Sequence, residues 1–186
     1  MRITGGRMRG LALASVGKGD PARALRPTSD RVRESLFNLL EHGGFGDPVS
    51  EAAVLDVFAG TGALGLEALS RGAASVVFIE DGRVALALLD ENIRKARAGD
   101  RCRILRRSAL KPGPSTGAAT LVFLDPPYGK GLGERALAAL SETGWIAPGA
   151  LIVWEERGAQ AAPEGFRLIE TRSYGETAIT LLEADA

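Results

Sequence analysis

One cysteine (Cys102) and one histidine (His42) in 186 residues nearly exclude metal chemistry built on His and Cys ligands. A lone thiol closes no internal disulfide, and cysteine zinc sites need several thiolates. Any histidine-based triad would have to be built on His42. No apolar run approaches the roughly 20 residues of a membrane-spanning helix. The opening Met1-Arg2-Ile3-Thr4-Gly5 lacks the apolar stretch of an export signal. A cytoplasmic protein with no metal and no membrane partner is therefore expected. Hydrophobic residues make up 45% and charged residues 25%, which suits a globular chain with one good core.

A net charge of zero conceals an uneven distribution. Residues 1–35 hold 8 basic and 3 acidic side chains, a net of +5, and the remainder holds 15 and 20, a net of −5. Such asymmetry is what a chain meeting phosphate with one end would carry. A solvated basic arm without a partner would show the same composition.

Residues 1–14 alternate loosely (Ile3, Met8, Leu11, Leu13) around Gly5-Gly6 and Gly10, predicting a short β-hairpin arm. A Gly/Pro-containing loop follows, over 16–24. Val32, Leu36, Leu39 and Leu40 fall at helical spacing, with Thr28 to Asp30 as N-cap candidates and Gly43-Gly44 as the stop. From Ala53 strands and helices alternate, the pattern of a parallel sheet. Strands are expected at 54–58, 75–79, 101–105, 120–124 and 150–154, and helices at 65–71, 84–98 and 134–141. The rhythm then changes. Residues 166–173 and 177–183 leave no room for a helix between them and predict an antiparallel hairpin at the sheet edge.

Two stretches carry chemistry. Gly60-x-Gly62-x-x-Gly65 follows a strand and opens a helix, as a nucleotide-cofactor loop does. Glu80 ends the next strand about 20 residues on, where a carboxylate can accept from ribose hydroxyls. A tight turn with an exposed Glu would read the same. Asp56, four residues before Gly60, would repel a pyrophosphate but suits a cationic amino acid group. That favours S-adenosylmethionine over a dinucleotide. The second stretch is Asp125-Pro126-Pro127-Tyr128, at the end of the apolar run 120–124. The prolines stop the strand and remove two donors. An acceptor, rigid carbonyls and an aromatic face are left together where open α/β sheets bind ligands. An ordinary Pro-rich turn is the plain alternative.

These residues resemble known proteins. Asp56-Val57-Phe58-Ala59-Gly60-Thr61-Gly62 is similar to the cofactor motif of class I methyltransferases. Asp125-Pro126-Pro127-Tyr128 is similar to the motif of enzymes that methylate exocyclic or amide nitrogens. The blocks 5–10 (GGRMRG), 26–37 (RPTSDRVRESLF) and 174–178 (YGETA) resemble the RsmD family, which methylates N2 of a guanine in 16S ribosomal RNA. The likeness runs from residue 2 to about 183, and the 26–37 block is its most specific part.

The resemblance implies an α/β, Rossmann-like class I methyltransferase fold: a mostly parallel seven-stranded sheet, a C-terminal antiparallel hairpin and an N-terminal β-hairpin arm. It divides the chain into an RNA-binding arm and loop, 1–25, and a methyltransferase domain, 26–186. It assigns S-adenosylmethionine to Asp56, Phe58, Gly60, Gly62, Glu80, Asp81, Ser108 and Ala109. RNA contacts fall to Arg7, Arg9, Arg26, Thr28, Arg31 and Arg33, and catalysis to Asp125, Pro126 and Tyr128. The partner implied is 16S rRNA within a small-subunit particle, met by a monomer. One departure stands out: Ser108 occupies a position where relatives carry an acid for the adenine amino group. A hydroxyl still accepts a hydrogen bond but brings no charge.

On this reading Asp125 and the Pro126 carbonyl accept the two N2–H bonds of a guanine, and Tyr128 stacks on the base. The base must be unpaired or splayed to enter the pocket. Three rivals stand beside it: a DNA adenine-N6 methyltransferase, a protein glutamine methyltransferase and a non-catalytic nucleotide-binding module. Phe123, Leu124, Leu86, Leu88 and Leu89 are expected in the core, His42 and Trp154 in structural places, and Lys130 as a candidate phosphate contact.

Overall fold

A computed structural model of the chain describes residues 1–15 and 29–186. Helix α1 spans Asp30–His42. It is followed by β1 (Ala53–Val57), α2 (Ala63–Ser70), β2 (Ser75–Glu80), α3 (Arg83–Ala96) and β3 (Cys102–Arg106). Then come β4 (Ala119–Leu124), α4 (Leu132–Glu142), β5 (Ile146–Glu156), β6 (Phe166–Tyr174) and β7 (Thr177–Ala184). All seven strands form one sheet in the order β3-β2-β1-β4-β5-β7-β6. The first five are mutually parallel, while β7 runs antiparallel to both neighbours. Sequence order reverses direction at β1, which lies between β2 and β4. Ligands of open α/β sheets bind at such a switch point, beyond the carboxyl ends of the strands.

The central strands are apolar on both faces because both faces are covered. Val54, Val76, Phe78, Leu121 and Phe123 pack with α1, α2 and α3 on one side. Leu55, Val57, Ile79, Val122, Leu124 and Trp154 pack with α4 and Trp145 on the other. Leu89 of α3 is fully buried as expected, whereas Leu86 and Leu88 are only half-buried. The last two strands form the predicted hairpin, turning at Gly175-Glu176. Strand β5 begins four residues earlier than the apolar run 150–154 suggested and extends two residues past it. Its register with β4 shifts between Ala119 and Leu121. Among the described residues no helix is long and apolar enough to cross a membrane.

Helix α1 starts at Ser29, whose side chain accepts the Val32 amide at 3.2 Å, and it ends with the Gly43 amide on the Leu39 carbonyl. Its buried stripe is Arg33, Leu36, Phe37 and Leu40. The stripe is rotated from the one expected, and an arginine stands within it.

The N-terminal segment forms a hairpin-like turn with a single antiparallel bridge, Arg2 to Ala12, rather than two regular strands. Its glycines explain why. Gly6 has a φ of +71°, and a Cβ there would lie 1.9 Å from the Ser70 carbonyl oxygen. The segment bends to press its backbone onto the end of α2. Ile3 and Leu13 join the same core as α1 and α2, and the Glu67, Ser70 and Asn92 side chains bond its backbone.

Candidate active site

The carboxyl ends of β1, β2, β4 and β5 bring the two chemical stretches together. Beyond β1, Phe58 takes a left-handed conformation (φ +59°), which costs a non-glycine residue about 1–2 kcal/mol. The chain then turns through Gly60 and Gly62 into α2. Gly62 has a φ of +78° and would place a Cβ 2.4 Å from Leu89 Cδ1, so only glycine fits. The Gly60 amide donates to Glu80 Oε2 at 2.8 Å. Glu80 Oε1 accepts the amides of Asp81 (3.0 Å) and Gly82 (2.7 Å). One carboxylate thus braces the loop after β1 against the loop after β2.

Asp56, at 2% exposure, uses Oδ2 to accept the Gly65 amide at 2.9 Å, in the first turn of α2. Burial pushes its carboxyl up to about 8; the Gly65 amide pulls against this and the Glu80 carboxylate adds to it. Asp81 is exposed and Ala109 is buried. Ser108 is half-buried, and its hydroxyl accepts the Leu110 amide at 3.3 Å. Together Glu80, Asp56 and the backbone of the glycine loop offer carboxylates, amides and an apolar wall at one place. That donor and acceptor set fits a cationic, ribose-bearing cofactor better than a polyphosphate.

Asp125 follows β4 directly, and its amide donates to the Val57 carbonyl at 3.3 Å, stitching the turn to the end of β1. Pro126 is buried, Pro127 exposed, and Asp125 and Tyr128 half-buried. Burial drives the Asp125 carboxyl well above the ordinary range, and the Glu155, Asp56 and Glu156 carboxylates drive it further. The Tyr128 hydroxyl donates to Glu155 Oε1 at 3.0 Å and lies 3.4 Å from Thr177 Oγ1. The Gly129 amide donates to Glu156 Oε1 at 3.2 Å. Burial, with the neighbouring carboxylates adding, also raises the Tyr128 phenol, so it stays a donor at neutral pH.

Sequence reasoning passed over Glu155 and Glu156. The signal was there: two acids end the apolar run of β5, just as Glu80 ends that of β2. It also passed over Asn92 of α3, fully buried, whose amide donates to the carbonyls of Thr61 (2.9 Å) and Ala14 (3.1 Å) and accepts the Ala14 amide (2.7 Å).

Of the basic residues expected at phosphate, Arg7, Arg9 and Arg31 are exposed, as is Lys130. Arg26 and Thr28 lie outside the described residues. Arg33 corrects the expectation. Its side chain is fully buried, its Nε sits 3.2 Å from Glu67 Oε2, and its guanidinium also bonds Asp30 and the Arg2 carbonyl. Its helix face points into the core, where the guanidinium pairs with a buried acid instead of meeting solvent.

Among the described residues no three His, Cys, Asp or Glu side chains are grouped to hold a metal. A cavity of about 550 Å³ opens at the opposite end of the sheet, lined by Phe45, Thr120, Leu151 and Ile169 among others. It is remote from the acids described above.

Comparison with known proteins agrees with the fold. The family described as Conserved hypothetical protein 95 matches residues 1–183. Ribosomal RNA small subunit methyltransferase D of Escherichia coli K12 is 38% identical, the alignment covering 100% of this chain and 91% of that one. The protein of the same name from Haemophilus influenzae is 34% identical over 94% of this chain and 89% of its own. The solved structure of the Escherichia coli protein yhhF superposes with a TM-score of 0.83 at 38% identity, covering 100% of this chain and 98% of that one. The strand order is that of class I methyltransferases.

Proposed function

The chain belongs to the Conserved hypothetical protein 95 family, and from that premise we propose that it methylates small-subunit ribosomal RNA, with S-adenosylmethionine as donor and the exocyclic N2 of a guanine as acceptor. The observation that carries this reading is the Asp125-Pro126-Pro127-Tyr128 turn, bonded to the end of β1 beside the glycine loop. An acceptor carboxyl and an aromatic face thereby stand next to the place where a cofactor would lie. S-adenosylmethionine, when bound, supplies a methyl carbon as electrophile and leaves as the neutral thioether.

The remaining work belongs to this chain. Glu80 is the proposed partner of the ribose hydroxyls and Asp56 of the amino acid end. Phe58, Gly60 and Gly62 line the approach, and Asp81, Ser108 and Ala109 form the adenine side. An aromatic amino group is a weak nucleophile because its lone pair is delocalised into the ring. Asp125 and the Pro126 carbonyl accept its two N–H bonds, favouring the pyramidal form, and Tyr128 stacks on the base and holds the approach in line. A carboxylate whose pKa is raised by burial is also a competent acceptor for the proton released when N2 gains its methyl. Arg7, Arg9, Arg26, Thr28 and Arg31 are the proposed contacts to RNA, with residues 1–25 as the arm that carries the first two and the segment leading into the first turn of α1 carrying the rest. A cytoplasmic monomer acting on an assembled particle is part of the same proposal.

The test is transfer of labelled methyl to small-subunit particles from a strain lacking this protein, followed by nucleoside analysis. Label is expected as N2-methylguanosine. Asp125→Ala and Tyr128→Ala should each reduce turnover by about a hundredfold or more while cofactor affinity stays nearly unchanged. Label found only in DNA adenine would replace the substrate assignment. Unchanged turnover in either variant would remove that residue from the chemistry.

A further inference from the structure

Strand β5 ends in Glu155 and Glu156, which the proposed reaction leaves unused. They are only 5% and 7% exposed, and buried carboxylates are costly unless something compensates them. Both are turned onto the loop that follows β4. Glu155 takes the Tyr128 hydroxyl, and Glu156 takes the amides of Gly129 and of Arg157 (3.0 Å). Leu124 pairs with Trp154 in the parallel β4–β5 register, so Asp125 and Glu155 are the next residues along the two adjacent strands. Thr177, the first residue of β7, approaches the same Tyr128 hydroxyl. The terminal hairpin thus meets the catalytic turn at one oxygen atom.

We propose that Glu155 is a positioning residue of the transfer reaction, holding Tyr128 by its hydroxyl and facing Asp125 across the β4–β5 pair. The inference rests on the methyltransferase reading and deepens it. A tyrosine ring used as a stacking platform must be fixed about two side-chain torsions. The Glu155 carboxylate anchors the far end of the ring through a charge-assisted hydrogen bond. A ring free to swing would present its face to the base only part of the time, and misplacement of about 1 Å can cost a hundredfold in rate.

The charge of Glu155 has a second effect. The groups facing Asp125 are Asp56 from β1, Glu155 and Glu156 from β5, and Tyr128 from its own turn. Each nearby carboxylate makes ionisation of Asp125 harder. Removing the charge at position 155 must therefore let Asp125 ionise at lower pH. If ionised Asp125 is the working acceptor, the acidic limb of kcat/KM, which reports the free enzyme, moves to lower pH with it.

Three variants separate the two effects. Glu155→Gln keeps an acceptor for the Tyr128 hydroxyl and removes the charge. It should retain most of the maximal turnover and shift the acidic limb downward. Glu155→Ala should show the same shift together with a roughly ten- to hundredfold fall in kcat. Tyr128→Phe keeps the ring but loses its anchor; it should match that fall, and the double variant should add nothing further. The shift is also read without substrate, by NMR titration of the Asp125 carboxyl in the free protein and in Glu155→Gln.

If the wild type transfers no methyl to RNA, the functional reading fails while the titration still decides whether Glu155 and Asp125 are coupled. An unmoved Asp125 titration in Glu155→Gln overturns the inference, as does full turnover in Glu155→Ala. A purely structural Glu155 would lower stability and activity together and leave the acidic limb in place.

Discussion

Glu67, on α2, has a fully buried carboxylate on which five donors converge: the Thr4 amide and hydroxyl, the Gly5 amide, and the Nε atoms of Arg33 and Arg71. Burial alone would raise its pKa. The Thr4 bonds, Arg71 and Arg33 outweigh burial and hold the carboxyl below the ordinary range. The depressed pKa fixes the sign of its pH dependence: the contribution is complete above the unfolded value near 4.5 and is lost as pH falls through the folded one. Glu67→Gln removes the buried charge shared by Arg33 and Arg71, leaving them only their contacts to groups such as Asp30 and Glu41, and should cost about 3–5 kcal/mol at pH 7, measured by urea unfolding. The deficit should shrink as pH falls below that value, because the wild type loses the same charge. A deficit independent of pH would mean that shape, not charge, makes Glu67 important. This pair also explains why Arg33 lies inside rather than at the expected phosphate-facing surface. Its place in the 33, 36, 37, 40 stripe was visible in the helical period, but its partner lies 34 residues away, beyond any local pattern.

At the scale of elements, α3 does more than cover the sheet. Through Asn92 it joins the segment around Ala14 to the Thr61 carbonyl inside the glycine loop, so one amide side chain holds two parts of the chain that share no backbone pairing among the described residues. Asn92→Ala should cost about 2–4 kcal/mol, since buried carbonyls and an amide lose their partner. It should also increase proteolytic cleavage near residue 14 and weaken cofactor binding by calorimetry. Stability lost with cofactor affinity intact would confine Asn92 to the core. The glycine loop and the acids Glu80 and Asp125 at the ends of β2 and β4 were legible because turn geometry and apolar runs are local properties. The clamp was not, because an asparagine on a helix is indistinguishable in sequence from a solvated one.

At the scale of the whole molecule, the zero net charge divides into a basic first 35 residues and an acidic remainder. Among the described residues, Arg7, Arg9 and Arg31 display that positive charge to solvent, while the acids Asp56, Asp125, Glu155 and Glu156 cluster beneath the site. If the proposed function holds, binding to a ribosomal particle should weaken steeply with salt, whereas cofactor binding should change little. Each phosphate contact adds about 0.7–0.9 to the slope of log K against log salt. Replacing Arg7, Arg9 and Arg31 together by Ala should lower that slope by roughly two to three, read from filter binding over a salt series. A slope unchanged by the triple substitution would move the RNA contact elsewhere on the surface.

The sequence by itself determined the alternation of strands and helices, the closing antiparallel hairpin, the glycine turn after β1 and the acid-proline-proline-tyrosine turn after β4. Each follows from periodicity, from allowed φ values or from missing donors, all properties of neighbouring residues. Only the tertiary structure decided which charges are sealed inside and what they hold. Arg33 turns inward to Glu67, Glu155 reaches Tyr128 across 27 residues, and Asn92 reaches Ala14 across 78. The physical reason is common to all three. The cost of burying a polar group and the partner that offsets it depend on which strands and helices become neighbours, and that is settled by packing of the whole chain.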